Sequence, residues 1–304
     1  MRKYISIDIG GTAIKYGVIK ENGTILNRSE MPTEAWKGGP AILEKVIGIA
    51  GQFCREDHFA GICISTAGMV DTQKGEIFHS APLIPNYAGT RFKENLEARF
   101  GLPCEVENDV NCAGLAEYTS GAAEGSRVMA MLTIGTGIGG CLLVDGKVYH
   151  GFGNSACEVG YMHMRGSDFQ TLGAASILSR KVAAWKQEPE AEWSGYRIFE
   201  LAKQGDVLCC RAIEEMVDVL GLGIANICYV VDPEVVVLGG GIMAQEDFLK
   251  DKIQKSVKVY LIDSVASHVR ITFAKHRNDA GMLGAFYHFM NCRVKRMESE
   301  WNIM

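Results

Sequence analysis

The chain has 304 residues, and at roughly 150 residues per domain this length favours two domains. Apolar residues make up 47% and charged residues 22%, and these proportions exclude a disordered or fibrous chain. The 36 acidic side chains outnumber the 31 basic ones and give a net charge of -5. This balance argues against a nucleic-acid binder, because binding to phosphates needs a positive field.

The N-terminus and the cysteines indicate where the protein works. The sequence MRKYISIDIGG has no apolar signal core and no small-residue cleavage site, so we predict a cytoplasmic protein. The longest nearly apolar stretch, Val128 to Val144, has glycines at its centre, which predicts two strands around a loop and no membrane span. The ten cysteines form no C-x-x-C pair and mostly lie in apolar runs, which predicts reduced core thiols and no structural zinc site.

The first part of the chain predicts strands before any helix. Residues 4–9, 13–20 and 24–30 alternate between polar and apolar side chains and are separated by glycine-containing turns, a pattern that predicts an antiparallel meander. Apolar residues at helical spacing then predict a helix over 42–53, and a buried strand follows at 60–65. The predicted order is β-β-β-α-β.

A polar pair stands at the end of the next predicted strand. A helix over 92–100 and a strand over 104–107 lead to Asn108 and Asp109, and another helix is predicted over 110–118. Ligand sites gather at such strand ends in α/β sheets. Either residue could instead do no more than cap the helix, although capping and catalysis are compatible.

The strand pattern of the N-terminus is echoed later in the chain. A strand over 128–134, the glycine loop GTGIGG, a strand over 141–144, a tight turn and a short strand through Tyr149 predict a second hairpin system, and hence two related α/β halves. The rest is mainly helical. The remaining predicted elements are a helix over 213–227, a buried strand over 234–238 that three glycines stop, and a last helix over 281–290.

Two glycine turns are candidate phosphate sites. At Asp8-Ile-Gly-Gly-Thr12 the missing side chains expose backbone N–H groups, and Asp8 could hold a phosphate-bound magnesium ion directly or through water. An ordinary hairpin turn is the alternative. Gly135 to Gly140 satisfies the dinucleotide pattern G-x-G-x-x-G, but the helix that must follow is missing, so a dehydrogenase is disfavoured and a second phosphate-holding hairpin fits better.

Five short motifs follow one another along the chain. Glu158, Tyr161 and His163 are uninformative alone, because a lone glutamate or histidine is usually solvated. The motifs are Asp8-Ile-Gly-Gly-Thr12, Glu107-Asn-Asp109, Leu132-Thr-Ile-Gly-Thr-Gly-Ile-Gly-Gly140, Cys157-Glu-Val-Gly-Tyr-Met162 and Leu238-Gly-Gly-Gly241. Taken together and in this order, they resemble the ROK family of repressors, open reading frames and kinases.

The resemblance implies an actin-like (ribonuclease H-like) α/β fold with two domains around a hinged cleft. It implies a smaller domain of residues 1–117 with a C-terminal helix at 284–304, and a larger domain of residues 118–283. It also implies a kinase that uses ATP and Mg²⁺ to phosphorylate a sugar hydroxyl. A homodimer is the default assembly for such enzymes, and no sequence patch identifies an interface.

The resemblance also implies roles for individual residues. Asp109 matches the family's general base, which takes the proton from the sugar 6-hydroxyl. The positions that match sugar contacts are Gly68, Asn108, Asp109, Glu158, Tyr161 and Gln170. The positions that match the ATP motifs are Asp8, Gly10, Gly11, Thr12, Lys15, Gly135, Thr136, Gly137, Gly139, Gly140, Gly239, Gly240 and Gly241, and Asp8 is the one that would face the magnesium ion.

One departure from the family pattern bears on the substrate. Most members have Gly-His-Met followed by a cysteine-rich zinc loop, whereas this chain has Gly160-Tyr161-Met162 and no cysteine over 165–171, so no zinc is expected. The departure and the segment Lys275 to Phe289 look like the β-glucoside kinase branch, which phosphorylates the non-reducing glucose of cellobiose and related β-glucosides. The alternatives are a glucokinase or another hexose kinase, and, from a different class, a sugar-sensing regulator, although only seven residues precede Asp8 where repressors carry a helix-turn-helix.

Overall fold

The computed structural model describes residues 1–80, 82, 84–164 and 166–301, and it divides the chain into two compact units. Unit 1 comprises Met1–Thr119, His150–Ser155 and the chain from Asn278 onward, and unit 2 comprises Ser120–Tyr149 and Ala156–Arg277. These bounds differ from the predicted domains at 118–119, 150–155 and 278–283, which belong to unit 1. The physical reason lies in side-chain contacts within unit 1, where His150 contacts Glu107 and Asn278 contacts Lys15.

The strands and helices are numbered here in chain order. The strands are β1 Lys3–Ile9, β2 Ala13–Lys20, β3 Ile25–Pro32, β4 Ile62–Thr66, β5 Met69–Asp71, β6 Glu76–His79, β7 Cys104–Asn108, β8 Val128–Ile134, β9 Ile138–Val144, β10 Lys147–Val148, β11 His163–Met164, β12 Ser167–Asp168, β13 Val235–Gly239 and β14 Arg270–Phe273. The α-helices are α1 Gly39–Glu56, α2 Phe92–Phe100, α3 Asp109–Ser120, α4 Phe169–Gly173, α5 Ser176–Lys186, α6 Gly195–Lys203, α7 Val207–Val231, α8 Glu246–Tyr260, α9 Asp263–Ala266 and α10 Ala280–Trp301.

The five-stranded sheet of unit 1 has the order β3-β2-β1-β4-β7. Strands β1, β2 and β3 pair antiparallel, and β4 is parallel to both β1 and β7. The predicted meander and the order β-β-β-α-β are confirmed. The parallel arrangement brings the carboxyl ends of β1, β4 and β7 to one edge of the sheet, where Asp8, Ser65 and Glu107 lie in register.

The two faces of this sheet differ in chemistry because successive side chains of a strand point to opposite faces. One face is apolar and forms a core with α1 and α2, and its strand residues include Ile5, Ile7, Ile9, Ile62, Ile64 and Val106. The alternate positions carry Ser6, Asp8, Cys63, Ser65, Glu105 and Glu107. Helix α10 contacts β1, β4 and β7, and Ser6 Oγ donates a hydrogen bond of 2.8 Å to the Met282 carbonyl. The carboxyl ends of β1, β4 and β7 therefore carry polar side chains on one face of the sheet.

The sheet of unit 2 repeats the design with the order β10-β9-β8-β13-β14. Strands β8, β9 and β10 pair antiparallel, whereas β13 is parallel to β8 and β14. The predicted echo of the N-terminal meander is confirmed, because both sheets join two antiparallel pairs to two parallel pairs. A core built largely by helix α7 with α5, α6 and α8 covers this sheet.

Some predicted bounds were wrong, and several elements were missed. Strand β9 begins at Ile138, so Gly139 and Gly140 lie in the strand and not in the loop. The hairpins β5–β6 and β11–β12, the strand β14 and the helices α4, α5, α6, α8 and α9 have no counterpart in the sequence prediction. None of the ten cysteines forms a disulfide among the residues that the structure describes, and no described helix is long and apolar enough to cross a membrane.

Candidate active site

The first glycine turn joins β1 to β2. The Gly10 N–H donates to the Ala13 carbonyl at 3.1 Å, and Gly11 and Thr12 are exposed at the tip. Thr33, which is buried, holds the turn from behind: its Oγ1 donates to the Gly10 carbonyl at 2.6 Å, and its N–H donates to the Thr12 carbonyl at 2.9 Å. The turn is thus fixed with its tip accessible, as a phosphate site requires.

Asp8 lies on β1 just before this turn. Ser65 Oγ donates to Asp8 Oδ1 at 2.7 Å, and Lys15 is its cross-strand partner on β2. Helix α10 approaches the carboxylate so closely that a side chain at Gly281 would overlap its atoms. Burial raises the pKa of Asp8, and the Ser65 hydrogen bond and Lys15 oppose that rise.

Asn108 and Asp109 lie where β7 ends and α3 begins. Asn108 Oδ1 accepts the N–H groups of Val110 at 2.9 Å and Asn111 at 3.1 Å, which caps the helix. Asn108 Nδ2 donates to Asp109 Oδ1 at 3.0 Å and to the Gly68 carbonyl at 2.9 Å. The side chain therefore caps the helix and orients Asp109 at the same time.

Gly68 is placed beside this pair by its backbone conformation. Its φ of +95° is one that side-chain-bearing residues rarely adopt, and a Cβ would lie 2.9 Å from the His79 carbonyl oxygen. Because both amide hydrogens of Asn108 are used, a sugar hydroxyl that accepts from Asn108 must replace either the Gly68 carbonyl or the Asp109 carboxylate. Unit 1 thus brings together three of the predicted sugar-contacting residues.

Asp109 has the properties of a general base. Its Oδ1 accepts hydrogen bonds from the Val110 N–H and from Asn108 Nδ2. Neither of these two groups, nor any other side chain that the structure describes, donates to Oδ2. Burial and then the negative charge of Asp8 raise the pKa of Asp109 to about 7, although hydrogen bonds to the carboxylate oppose the rise. A carboxylate with a pKa near neutral pH and a free acceptor oxygen can take a proton from an alcohol.

The second glycine turn lies in unit 2 between β8 and β9. The Gly135 N–H donates to the Gly137 carbonyl at 2.9 Å, and Thr136 is exposed at the tip. The start of α5 holds the turn, since the Ala175 N–H donates to the Gly135 carbonyl at 2.9 Å and Ser176 Oγ to the Thr136 carbonyl at 3.0 Å. Only the first three residues of GTGIGG thus form the turn.

Gly139 and Gly140 lie in strand β9 and not in the turn. In β9 they pair with Thr133 and Leu132 of β8. A Cβ at Gly140 would lie 2.8 Å from Val159 Cγ2, closer than real Cβ atoms come to a neighbour. Gly140 therefore allows the chain around Cys157 and Val159 to pack on the strand, and its predicted contact with ATP stays a prediction.

The third glycine motif lies beside the second. Gly239 is the last residue of β13 and pairs with Thr133, while Gly240 has a φ of +95° and begins the turn into a 3-10 helix over Gly241–Gln245. A Cβ on Gly240 would lie 2.6 Å from the Ile134 backbone nitrogen. Because Ile134 directly precedes Gly135, unit 2 brings two of the predicted ATP motifs together.

The remaining predicted sugar contacts lie in unit 2. Glu158 is exposed and precedes a 3-10 turn over Val159–Tyr161, and the Tyr161 side chain is 51% exposed. Gln170, on α4, packs against two glycines: a Cβ at Gly137 would lie 2.9 Å from its Oε1, and one at Gly160 would lie 3.1 Å from it. Gln170 therefore lies between the second glycine turn and the backbone at Gly160.

Strands β11 and β12 form a short hairpin after Tyr161. His163 pairs with Asp168 and Met164 with Ser167, while Arg165 lies outside the described residues. Among the described residues, one group has metal-ligand geometry, and it lies in unit 1: Glu105, His288 and Cys292. Since Lys93 Nζ lies 2.8 Å from Glu105 Oε2, an ion pair already uses that carboxylate.

Sequence reasoning missed the residues that support the predicted ones. Thr33, Ser65, Glu107 and Gly281 contact or closely approach the first turn, Asp8 or Asn108. For the β4 and β7 residues a signal was available, because strand alternation places Ser65 and Glu107 on the same face as Asp8. Thr33 and Gly281 have no such local signal.

Comparisons with known proteins identify the family of the chain. The sequence profile of the ROK family matches residues 4–291. An uncharacterized protein of Clostridium perfringens is 50% identical over 95% of this chain and 98% of its own, and a β-glucoside kinase of Listeria monocytogenes is 33% identical over 95% and 97%. The crystal structure of a ROK family glucokinase from Streptomyces griseus, in complex with glucose and AMPPNP, superposes with a TM-score of 0.80 at 26% identity over 93% of this chain and 97% of its own. The chain belongs to the ROK family, has its actin-like α/β fold, and is an ATP-dependent sugar kinase.

Proposed function

We propose that this sugar kinase phosphorylates the 6-hydroxyl of the non-reducing glucose of β-glucosides such as cellobiose. The observation that carries the proposal is Tyr161, an exposed aromatic side chain at the position where most family members have a zinc-binding histidine that contacts the sugar near its anomeric end. The short hairpin β11–β12 replaces the zinc loop there. With the loop and histidine gone, the anomeric end is open to a second sugar, and an aromatic ring suits its apolar face.

A glucokinase or another hexose kinase is the second candidate. The structural similarity to a glucokinase that holds glucose favours it. Both candidates use the same base and the same phosphate turns, so they differ only in what the site accepts at the anomeric oxygen.

In either case Asp109 acts as the base. The sugar oxygen forms a bond to the terminal phosphorus of ATP, the bond from that phosphorus to the ADP oxygen breaks, and Asp109 Oδ2 takes the hydroxyl proton. Asn108 holds the other carboxylate oxygen, so that Oδ2 has a fixed direction. Gly68 fixes Asn108 in turn through its carbonyl.

The two glycine turns are the proposed ATP contacts. Their exposed tips at Gly11-Thr12 and at Thr136 present backbone N–H groups, which suit phosphate oxygens, and Gly239 to Gly241 form the proposed adenosine region. Asp8 fits a magnesium site, because it offers hard carboxylate oxygens directly before the first glycine turn. Magnesium bound there with ATP would neutralise charge on the phosphates.

Activity is expected to depend on pH through Asp109. Because burial and Asp8 raise the pKa of Asp109 to about 7, the carboxylate is largely protonated at pH 6 and ionised at pH 8. The value of kcat/KM should therefore rise about tenfold per pH unit below pH 7 and level off above it. A profile of kcat/KM against pH, measured at fixed ionic strength, tests this. A profile that stays level from pH 8 down to pH 5 and falls only below pH 5 would contradict it.

The substrate proposal is tested by comparing cellobiose with glucose. ATP consumption is measured over a concentration series of each sugar, and NMR identifies the phosphorylated carbon. A higher kcat/KM for cellobiose, with phosphate on O6 of the non-reducing glucose, is the expected result. A preference for glucose would establish the second candidate.

Exchanging the tyrosine for histidine should change this preference. We expect Tyr161→His to lower kcat/KM for cellobiose about tenfold, equivalent to about 1.4 kcal/mol, and to change the value for glucose less than threefold. Tyr196→His is the matched control, because Tyr196 is also in unit 2 and is 73% exposed on α6. Equal losses on both sugars would count against contact between Tyr161 and the second sugar.

The cytoplasmic location, the homodimer, the lack of zinc and the exclusion of nucleic-acid and membrane partners stay predictions from the sequence.

A further inference from the structure

Glu107, which directly precedes the proposed sugar-binding and catalytic pair, is a buried carboxylate with an unusual set of partners. Its side chain is 1% exposed and lies on the polar face of the unit 1 sheet. Four groups approach its two oxygens: the N–H of Asn108, which is its neighbour on β7, and the side chains of Asn111, His150 and His288 from elsewhere in the chain. Burying a charge is costly, and an apolar side chain of similar size often gives equal or greater stability. Its presence beside Asp109 therefore calls for a role beyond packing.

One oxygen of Glu107 fixes the start of α3. Oε1 accepts the Asn108 N–H at 2.8 Å and Asn111 Nδ2 at 3.0 Å. Asn111 returns its own N–H to Asn108 Oδ1 at 3.1 Å. The three residues form a closed set of hydrogen bonds, in which Glu107 holds the Asn108 backbone and the Asn111 side chain while the Asn111 N–H holds the Asn108 side-chain amide. Asn108 Nδ2 then determines the orientation of the Asp109 carboxylate.

The other oxygen of Glu107 faces two histidines. His150 Nε2 lies 2.7 Å and His288 Nδ1 3.3 Å from Oε2. Burial would raise the pKa of Glu107, but the charge of His288 and the hydrogen bonds from His150 and Asn111 outweigh it and lower the pKa. The carboxylate thus stays ionised, and an ionised acceptor makes stronger hydrogen bonds to Asn108 and Asn111 than a neutral one.

The chain path supports a dedicated role for His150. The chain belongs to unit 2 through Tyr149 and again from Ala156, but residues 150–155 belong to unit 1. His150 is the first residue of this short segment, and its contact with Glu107 joins positions 43 residues apart. The same segment leads directly to Glu158 and Tyr161.

We infer that Glu107 is a positioning residue for phosphoryl transfer: held by His150 and His288, its carboxylate orients Asn108 and, through Asn108, the base Asp109. The inference rests on the proposed role of Asp109. Small displacements of a catalytic group lower the rate strongly, and a misplacement of about 1 Å can cost a factor of about 10². The effect is therefore expected mainly on kcat, with a smaller rise in the KM for sugar, because Asn108 is also a proposed sugar contact, and with no change in the KM for ATP.

The test compares two substitutions at Glu107 with one at a neighbouring carboxylate. Glu107→Gln keeps the shape and an acceptor oxygen, and is expected to lower kcat about tenfold. Glu107→Leu leaves the Asn108 N–H and Asn111 without their acceptor, and is expected to lower kcat about a hundredfold. In both variants the KM for ATP should change less than threefold and the KM for sugar should change less than kcat does, with kcat corrected for the folded fraction measured by circular dichroism.

Glu105→Gln is the matched control. Glu105 is also 1% exposed, lies on the same face of β7 and is ion-paired with Lys93, but the structure gives it no bond to Asn108 or Asp109. It should keep the kcat of the unmodified protein even where thermal stability falls. If Glu105→Gln lowers kcat as much as Glu107→Gln does, the effect is one of general packing and the inference is wrong.

His150→Gln keeps the inference testable if Glu107→Leu does not fold. The His150 side chain is 27% exposed, so its exchange leaves the core intact. We expect kcat to fall about fivefold with an unchanged KM for ATP. Unchanged kcat in folded Glu107→Gln and His150→Gln, beside an inactive Asp109→Asn, would overturn the positioning role alone, whereas an active Asp109→Asn would overturn the proposed base itself.

Discussion

Asp109→Asn is expected to lower kcat by a factor of about 10² to 10⁴, the range that general-base catalysis contributes. The asparagine keeps the shape of the side chain and an oxygen that can accept the Val110 N–H, so the cap of α3 survives. It cannot take the hydroxyl proton at Oδ2. Sugar and ATP affinity should change less than threefold, which equilibrium binding of each ligand to the inactive variant measures.

The same substitution is expected to stabilise the protein at alkaline pH. A carboxyl whose pKa is raised from 3.8 to about 7 holds its proton in the folded state after the unfolded chain has released it. The unmodified protein therefore loses stability as the pH rises from about 4 to about 7, and the loss persists above 7. This difference in pKa between the folded and unfolded states corresponds to a loss of at most about 4 kcal/mol in the free energy of unfolding. Because Asp109 is partly exposed to solvent, we expect a gain of about 2 kcal/mol for the variant at pH 8. The gain should vanish at pH 4.

Asp206→Asn is the control, for which we expect a change in stability of the opposite sign. The hydrogen bond from Lys186 and that from the Cys209 N–H lower the pKa of Asp206 to about 2. Removing this charge should destabilise the protein at pH 8 and leave kcat unchanged. Thermal unfolding of both variants at pH 4 and pH 8 gives the comparison. If Asp109→Asn is inactive but less stable than the unmodified protein at pH 8, the claim that the charge of Asp109 destabilises the fold is wrong. If Asp109→Asn is active, the proposed role of Asp109 as the general base is wrong.

The positions of the strand ends and turns were predictable from local sequence. Alternation located β1 and β2, and the glycines between them placed the turn at Gly10 to Thr12. Asn108 and Asp109 were identified because a polar pair follows a buried strand, and the structure does place them at the start of α3. In these places the local conformation and the chemistry depend on the same few residues.

The supporting contacts could not be predicted, because they depend on how distant elements pack. His150 is one of seven histidines, and nothing near it in the sequence indicates a contact with Glu107. Strand alternation does predict that Glu105 and Glu107 share a face with Asp8, and a buried carboxylate must find partners. It does not say which partners, since that depends on helix α10 lying across this face. The assignment of Gly139 and Gly140 to a loop was wrong for the same reason. Gly140 is required by the close packing of Val159 on strand β9, and this contact cannot be read from the local sequence.

Gly284→Ala is expected to be the most destabilising small substitution in the chain's last helix. Gly284 lies where α10 crosses α3, and a Cβ there would overlap the backbone carbonyl of Cys112. A backbone atom cannot move aside as a flexible side chain can, so the two helices must separate, at a cost of about 3 kcal/mol or more. Chemical denaturation should show a lower midpoint with an unchanged slope.

Gly48→Ala, the matched control, should have the opposite effect. Gly48 is an exposed glycine inside helix α1, and a Cβ there would have no neighbour within 4 Å. Alanine is the better helix former, so this change should stabilise the protein by about 0.5 to 1 kcal/mol. Separation of α10 and α3 would also move Asp109, which begins α3, so folded Gly284→Ala should lose kcat as well as stability. If both variants had the same stability, the backbones of α3 and α10 would not be in contact, and the placement of α10 behind the catalytic strand ends would be wrong.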